Sequence, residues 1–267
     1  MPKLATAMTA NGWRVIQWML VLAAAVVAFF AASCSFLEPR GGLPPITVDL
    51  IVSDVSGSVD VQSRCAELAA RVRPLVEDRR TRRLDLLALA TGGATGEPDV
   101  LVPWTTYTPG TGLYESPGAA ARHRADWVAG VERVCRENLR RQSISPVYEA
   151  VERALQAIDA RCEEGAREHF RCERKVLTVQ SDLRSTHGAF GQHLRALAAG
   201  KPPKKNSTSF RLPVDGIETS FCGVSNTSAG DGLPSEVVFA AWSEALGRPL
   251  VVDPTCAISP AALRSSL

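Results

Sequence analysis

Residues 46–58 read ITVDLIVSDVSGS. Ile46 to Val52 is a β-branched, apolar run of strand length. The chain leaves that strand through Asp54, Ser56 and Ser58, spaced two apart. All three side chains offer oxygen, the donor that hard divalent cations select. A loop of this composition at the carboxyl end of an apolar strand is a candidate metal site. Its simpler reading is local: Ser56 and Ser58 cap the helix that follows.

Outward from this stretch the chain alternates between strand and helix patterns. Val59 to Arg79 has helical spacing, with Val61, Cys65, Leu68, Ala69, Val72 and Val76 on one side. Leu84 to Ala90 is a second apolar strand, closed by Thr91-Gly92-Gly93, which read as turn residues. Val100 to Tyr107 is a third strand, placed near an edge by Pro103. Helices follow over Pro117–Leu139 and from Pro146, a favoured residue in a first turn. Lys175–Gln180, Ile217–Val224 and Pro249–Val252 read as strands four to six. His187–Ala199 and Pro234–Leu246 read as the helices between them. Trp242 falls at apolar spacing with Val238 and Leu246, as a core residue does. Strands separated by helices need crossovers, so the expected fold is a doubly wound α/β sheet, mostly parallel and flanked by helices. Such sheets bind ligands at the carboxyl ends of central strands, where strand order reverses. The loops after the first and fourth strands are therefore the places to look.

With these motifs in order, the chain resembles the von Willebrand factor A (vWA) family, a Rossmann-like fold. The family's metal-ion-dependent adhesion site opens with the pattern matched by Asp54, Ser56 and Ser58. Its Thr before a central helix is matched by Ser145 in SPVYEA, 145–150, with Ser143 close by. Its Asp after the fourth strand is matched by Asp182 in VLTVQSD, 176–182, with Leu183 where the family has Gly and Arg184 beyond it. The resemblance covers about Ile46 to Val252. It implies a divalent cation, Mg²⁺ or else Mn²⁺ or Ca²⁺, with Ser56 and Ser58 as direct ligands and Ser145 as a third, direct or near-direct. Asp54 and Asp182 act mostly through bound water. Mg²⁺ is octahedral, bound by oxygen at about 2.0–2.1 Å, and sheds its waters reluctantly. A cation with few charged ligands stays electrophilic, so an acidic side chain of a protein partner completes its shell.

The N-terminus bears on location. Val15 to Ala32 is apolar except for Gln17, follows Lys3 and Arg14, and precedes Ser33-Cys34. Those are the parts of a secretory signal, though the run approaches the length of a membrane span. Ala31-Ala32-Ser33-Cys34 resembles a bacterial lipobox, with Ala31 where Leu is usual, which makes Cys34 the lipid-bearing residue. The alternative is an uncleaved signal-anchor. Both readings put the remainder in the bacterial envelope, lipid-anchored on the periplasmic or surface side or held at the inner membrane. The expected organisation is signal 1–33, tether 34–45, domain 46–256 and tail 257–267. Six of the seven cysteines remain after Cys34, an even number that suits disulfides in an exported chain. Cys162 and Cys172 bracket a polar turn, Cys222 and Cys256 flank the last helix, and Cys65 with Cys135 completes the set. A zinc site from Cys162, His169 and Cys172 is the competing reading, without a CxxC pair or an obvious fourth ligand.

Composition narrows the function classes. The chain has 267 residues, 45% hydrophobic and 22% charged, which suits a globular core. Beyond residue 33 basic and acidic residues balance, 28 against 28, after Lys3 and Arg14 are subtracted from 30. That argues against a nucleic-acid binder. The arginines at 71, 73, 79, 80, 82 and 83, partly offset by Glu77, Asp78 and Asp85, read as a solvated helix end. The basic stretch 200–209 reads as a solvated loop. There is no phosphate loop and no nucleophile elbow. His123, His169, His187 and His193 are scattered and read as surface or cap residues. The expectation is a non-enzymatic module that binds a protein partner through the cation. The alternative is an envelope scaffold whose metal site has degenerated.

Overall fold

In a computed structural model the described residues are 45–55, 61–77, 83–93, 96–109, 116–201, 210–223 and 232–253. The apolar N-terminal run, Cys34, Ser56, Ser58, Cys256 and the C-terminal tail lie outside them. Among the described residues no helix is long and apolar enough to cross a membrane.

The elements are β1 (Pro45–Ser53), α1 (Val61–Glu77), β2 (Leu84–Ala90), β3 (Val100–Tyr107), α2 (Pro117–Asn138), α3 (Val147–Arg167), β4 (Arg171–Gln180), α4 (Gly188–Ala198), β5 (Glu218–Cys222) and α5 (Ser235–Leu246). The sheet runs β3-β2-β1-β4-β5. β1 pairs in parallel with both β2 and β4, and β4 pairs in parallel with β5. β3 is an antiparallel edge strand, consistent with Pro103. Its link to β2 is shorter than the roughly a dozen residues that a parallel crossover needs. This is the doubly wound, mostly parallel α/β sheet flanked by helices that the alternation implies.

β1 carries the core on both of its faces, because a strand's side chains alternate. Val48, Leu50 and Val52 pack under α3, α4 and α5, with Leu155, Phe190 and Trp242 fully buried there. Ile51 packs on the other face, with Leu68 and Val72 of α1 and Val131 of α2. Cys65–Cys135 staples α1 to α2, and Cys162–Cys172 closes the turn from α3 into β4. The sulfurs of Cys162 and Cys172 are therefore joined, which removes the zinc reading. Cys222 is also disulfide-bonded, to a partner outside the described residues.

Two sequence readings need correction. The sixth strand reduces to an isolated bridge from Val252 to Phe221. Pro249 has no N–H for a ladder, and the Leu250 N–H donates to Ser243 Oγ at 3.0 Å instead. The arginine cluster is not simply a solvated helix end. Asp85 is fully buried and accepts from Arg83 Nε at 3.1 Å, Arg161 Nη2 at 2.8 Å and Thr106 Oγ1 at 2.9 Å. Arg71 reaches across the sheet to Thr178 Oγ1 at 2.5 Å. Arg79, Arg80 and Arg82 lie outside the described residues.

Asp49, in the middle of β1, is the awkward residue of this core. It is 1% exposed, and its Oδ1 has no hydrogen-bond partner. Burial pushes its carboxyl up to about 6, against the pull of Arg71 and Arg174 and with a small push from Glu218. Folded Asp49 thus holds its proton more tightly than an unfolded aspartate with the ordinary value of 3.8. Its contribution to stability is most favourable below that value and is lost as pH rises through about 6. Asp49→Asn removes the charge and keeps the shape. Urea unfolding is expected to find this variant more stable than the parent above pH 7, by on the order of 2 kcal/mol. The two curves should converge near pH 4, and a constant offset at all pH values counts against the assignment.

Candidate metal site

The site lies where strand order reverses, between the carboxyl ends of β1 and β4. Its backbone frame comes first. Asp54 N–H donates to Gln180 O at 2.8 Å, Thr91 N–H to Ser53 O at 3.0 Å, and Ser181 N–H to Cys222 O at 3.0 Å. These bonds extend the sheet by one step past β1, β2 and β4, which aligns residues 54, 91 and 181 at its carboxyl end. Ser53 Oγ donates to Gln180 Oε1 at 2.9 Å just beneath them.

Asp54 is 4% exposed, and hydroxyls from other loops converge on its carboxylate. Ser145 Oγ donates to Oδ2 at 3.1 Å, Ser181 Oγ to Oδ2 at 2.9 Å and Thr91 Oγ1 to Oδ1 at 3.3 Å. Thr91, Ser145 and Ser181 are all buried. A buried carboxylate is costly unless its oxygens are hydrogen-bonded, and here donors on separate strands and loops supply the bonds. Ser145, not Ser143, occupies the position facing Asp54: Ser145 is 1% exposed and Ser143 lies at the surface.

Ser145 is held by its surroundings. Its carbonyl accepts from Thr186 N–H at 3.1 Å, and Pro146 follows as the residue that precedes α3, one step earlier than a first-turn position. Gly92 brings the β2 loop against this entry. A Cβ there would lie 2.8 Å from Pro146 Cδ and 3.4 Å from Ile144 O. The glycines after β2 are therefore more than turn residues, since the close approach sets Thr91 beside Asp54.

Asp182 does not touch Asp54 in the same way. It is half-buried, and its Oδ1 accepts from Arg184 N–H at 2.9 Å, folding the loop back on itself. Leu183, where the resemblance has Gly, adopts the left-handed conformation with φ 62° and is fully buried. Its backbone conformation costs about 1–2 kcal/mol for a residue with a branched side chain. Arg184 is also buried, and its guanidinium donates to Leu233 O at 2.7 Å and Ser235 Oγ at 3.2 Å. Thus Asp54 and Ser145 are brought together, Asp182 sits one residue from their partner Ser181, and Ser56 and Ser58 lie outside the described residues. Thr91 and Ser181 were not singled out as site residues. Their only signal in the sequence is a hydroxyl directly after an apolar strand.

The donors suit a hard cation, being carboxylate and hydroxyl oxygens throughout. A hydroxyl that gives its proton to Asp54 still has lone pairs to offer a metal, although Ser181 Oγ spends one on Leu183 N–H at 3.0 Å. Among the described residues no group of three or more His, Cys, Asp or Glu is gathered as a metal site. A surface groove runs between α1 and α2, past Arg73, Val76, Arg124 and Val128, and none of the Asp54 network lines it.

No family model matches this chain, and no curated protein matches it in sequence. Among solved structures it is similar to the manganese-loaded TRAP protein of Plasmodium vivax, at 10% identity and TM-score 0.36, covering 73% of this chain and 63% of that one. Proximal thread matrix protein 1 of the mussel byssus is similar at 11% identity and TM-score 0.36, covering 68% of this chain and 38% of that one. Human COPII-coat protein Sec24c is similar at 11% identity and TM-score 0.35, covering 74% and 28%. The chain thus spans less than two thirds of the length of each.

The frame predicts a specific weakness. Gly92→Ala should push the β2 loop away from Pro146 and destabilise the protein by about 1–3 kcal/mol in urea unfolding. Gly130→Ala, where an added Cβ meets nothing within 4 Å, is the control and should be neutral or stabilising. Equal effects of the two would remove the packing argument.

Proposed function

We propose that this chain is a vWA-like protein-binding module that holds a divalent cation at the Asp54 site and uses it to dock an acidic side chain of its partner. The reading rests on one observation above the others. A buried carboxylate at the topological switch point is met by hydroxyls from the loops after β2, before α3 and after β4. Within this reading Ser56, Ser58 and Ser145 are the hydroxyl ligands of the cation. Asp54 orients the hydroxyls and neutralises the cation through water, as Asp182 does from the opposite loop. The bound cation, Mg²⁺ by preference, supplies an electrophilic position for a carboxylate from outside. The module works without chemistry of its own.

In the same proposal the chain acts at a bacterial cell envelope. The apolar run Val15–Ala32 exports it, and Cys34 carries a lipid, or the run itself remains as an anchor. Disulfides at Cys65–Cys135 and Cys162–Cys172 favour an oxidising compartment.

The test is the thermal midpoint of the full chain, oxidised and in detergent, with Mg²⁺, with Mn²⁺ and with chelator, beside Asp54→Asn. Ligand at a hundred times its dissociation constant stabilises by about 2.7 kcal/mol. At ~2–4 °C per kcal/mol for a domain of this size, the parent's midpoint should rise by several degrees. The variant should fold and show no rise. A parent whose midpoint ignores the cation sinks the metal reading and leaves the scaffold reading, in which partner capture persists in chelator.

A further inference from the structure

We infer that Trp242 on α5 is a positioning residue for the cation site, acting at a distance through Leu183 and Ser181. The inference rests on the cation reading of the Asp54 site and adds the element that controls it.

The connection is a set of hydrogen bonds that meet at the backbone of Leu183. Trp242 Nε1–H donates to Leu183 O at 2.9 Å. Leu183 N–H donates to Ser181 Oγ at 3.0 Å. Ser181 Oγ donates in turn to Asp54 Oδ2 at 2.9 Å. Trp242, Leu183 and Ser181 are each no more than 1% exposed, so water does not compete for these bonds. The middle link is the strained one, because Leu183 holds φ 62° where an L side chain is disfavoured. A leucine left to itself relaxes toward negative φ. That rotation turns its N–H away from Ser181 and frees the Ser181 hydroxyl from its fixed direction toward Asp54.

Two contacts from the last helix oppose the relaxation. The indole bond grips the Leu183 carbonyl, which also accepts from Ser185 N–H at 3.1 Å. One residue on, the Arg184 guanidinium is bound to Leu233 O and Ser235 Oγ at the entry to the same helix. The loop that carries Asp182 is thereby clasped to α5 at both ends of that helix's first two turns. Trp242 itself is wedged by Tyr148, Phe190 and Phe221, with ring centroids 6.0, 5.2 and 5.9 Å away. Its indole has little freedom to follow a loop that moves. Tyr148 sits in the first turn of α3, three residues after Ser145, so the same aromatic cluster braces the second hydroxyl on Asp54. Groups that orient ligands in this way typically change metal affinity by about 10–100-fold when removed.

The experiment measures Mn²⁺ binding by the full chain in detergent micelles, from the electron paramagnetic resonance signal of free Mn²⁺. The proteins are the parent, Trp242→Phe, Val238→Ala, Leu183→Gly and the double variant Trp242→Phe with Leu183→Gly. Trp242→Phe keeps an aromatic ring and removes the donor; it should weaken Mn²⁺ binding by about tenfold or more. Val238→Ala destabilises the same helix without touching the relay and should bind Mn²⁺ as the parent does. Leu183→Gly accepts positive φ without strain, so in that background Trp242→Phe should cost far less affinity. In a proton–nitrogen spectrum, the indole N–H resonance missing from Trp242→Phe should move and exchange more slowly when Mg²⁺ is added to the parent. Parent-like Mn²⁺ affinity in Trp242→Phe, or an equal loss in Val238→Ala, overturns the inference and leaves the cation site standing. No Mn²⁺ binding by the parent overturns both.

Discussion

The Asp54 carboxylate cannot remain buried without partners, and satisfying it ties together loops that are far apart in the chain. Thr91, Ser145 and Ser181 reach it from the end of β2, the entry to α3 and the end of β4. Each hydroxyl depends on a backbone placed correctly: Thr91 on the close approach of Gly92 to Pro146, and Ser181 on its bond to Cys222 O. An orphaned buried carboxylate costs several times what one hydrogen bond contributes. The network is thus a constraint on the surrounding loops as well as a feature of them. The same geometry gathers hydroxyl oxygens around one carboxylate, the donor type that a hard cation prefers.

The molecule places its buried charges differently at the two ends of the sheet. At the amino end of β2, Asp85 is enclosed by guanidinium groups of Arg83 and Arg161, which in turn lie over the rings of Phe170 and Trp104. Every charge there has an opposite charge in contact, and the cluster reads as structure. At the carboxyl end the Asp54 carboxylate accepts from three neutral hydroxyls, those of Thr91, Ser145 and Ser181. The first arrangement pairs charge with charge, and the second surrounds a carboxylate with oxygen donors from separate loops. Asp49 lies between the two, a charge within the sheet whose nearest help is the long-range field of Arg71 and Arg174.

Leu183 connects site and scaffold. A left-handed, buried leucine is an uncommon feature and persists only where neighbouring contacts over-determine it. Here those contacts come from α5, through Trp242 and through Arg184. The apolar spacing of Trp242 with Val238 and Leu246 places it in the core, where the structure has it. That spacing says nothing of the indole N–H. A buried indole needs an acceptor, and the acceptor it finds is the strained peptide beside Asp182.

The fold was legible because it follows from local patterns. Continuous apolar runs marked β1 and β2, apolar spacing marked α1, α2, α3 and α5, and Pro103 marked the edge. The terminal strand after α5 was overcalled because an apolar triplet after Pro249 has strand composition but lacks the donors to pair. For the candidate site, the resemblance to the vWA pattern pointed to Asp54, Ser145 and Asp182, of which the structure joins Asp54 and Ser145 directly. The order of strands, the choice of Thr91 and Ser181 as partners, and the clasp from Trp242 were not legible. Those depend on contacts between residues 37 to 127 positions apart. Amino-acid types determine which groups must find hydrogen bonds when buried. Only the packed sheet decides which group is within 3 Å when they do.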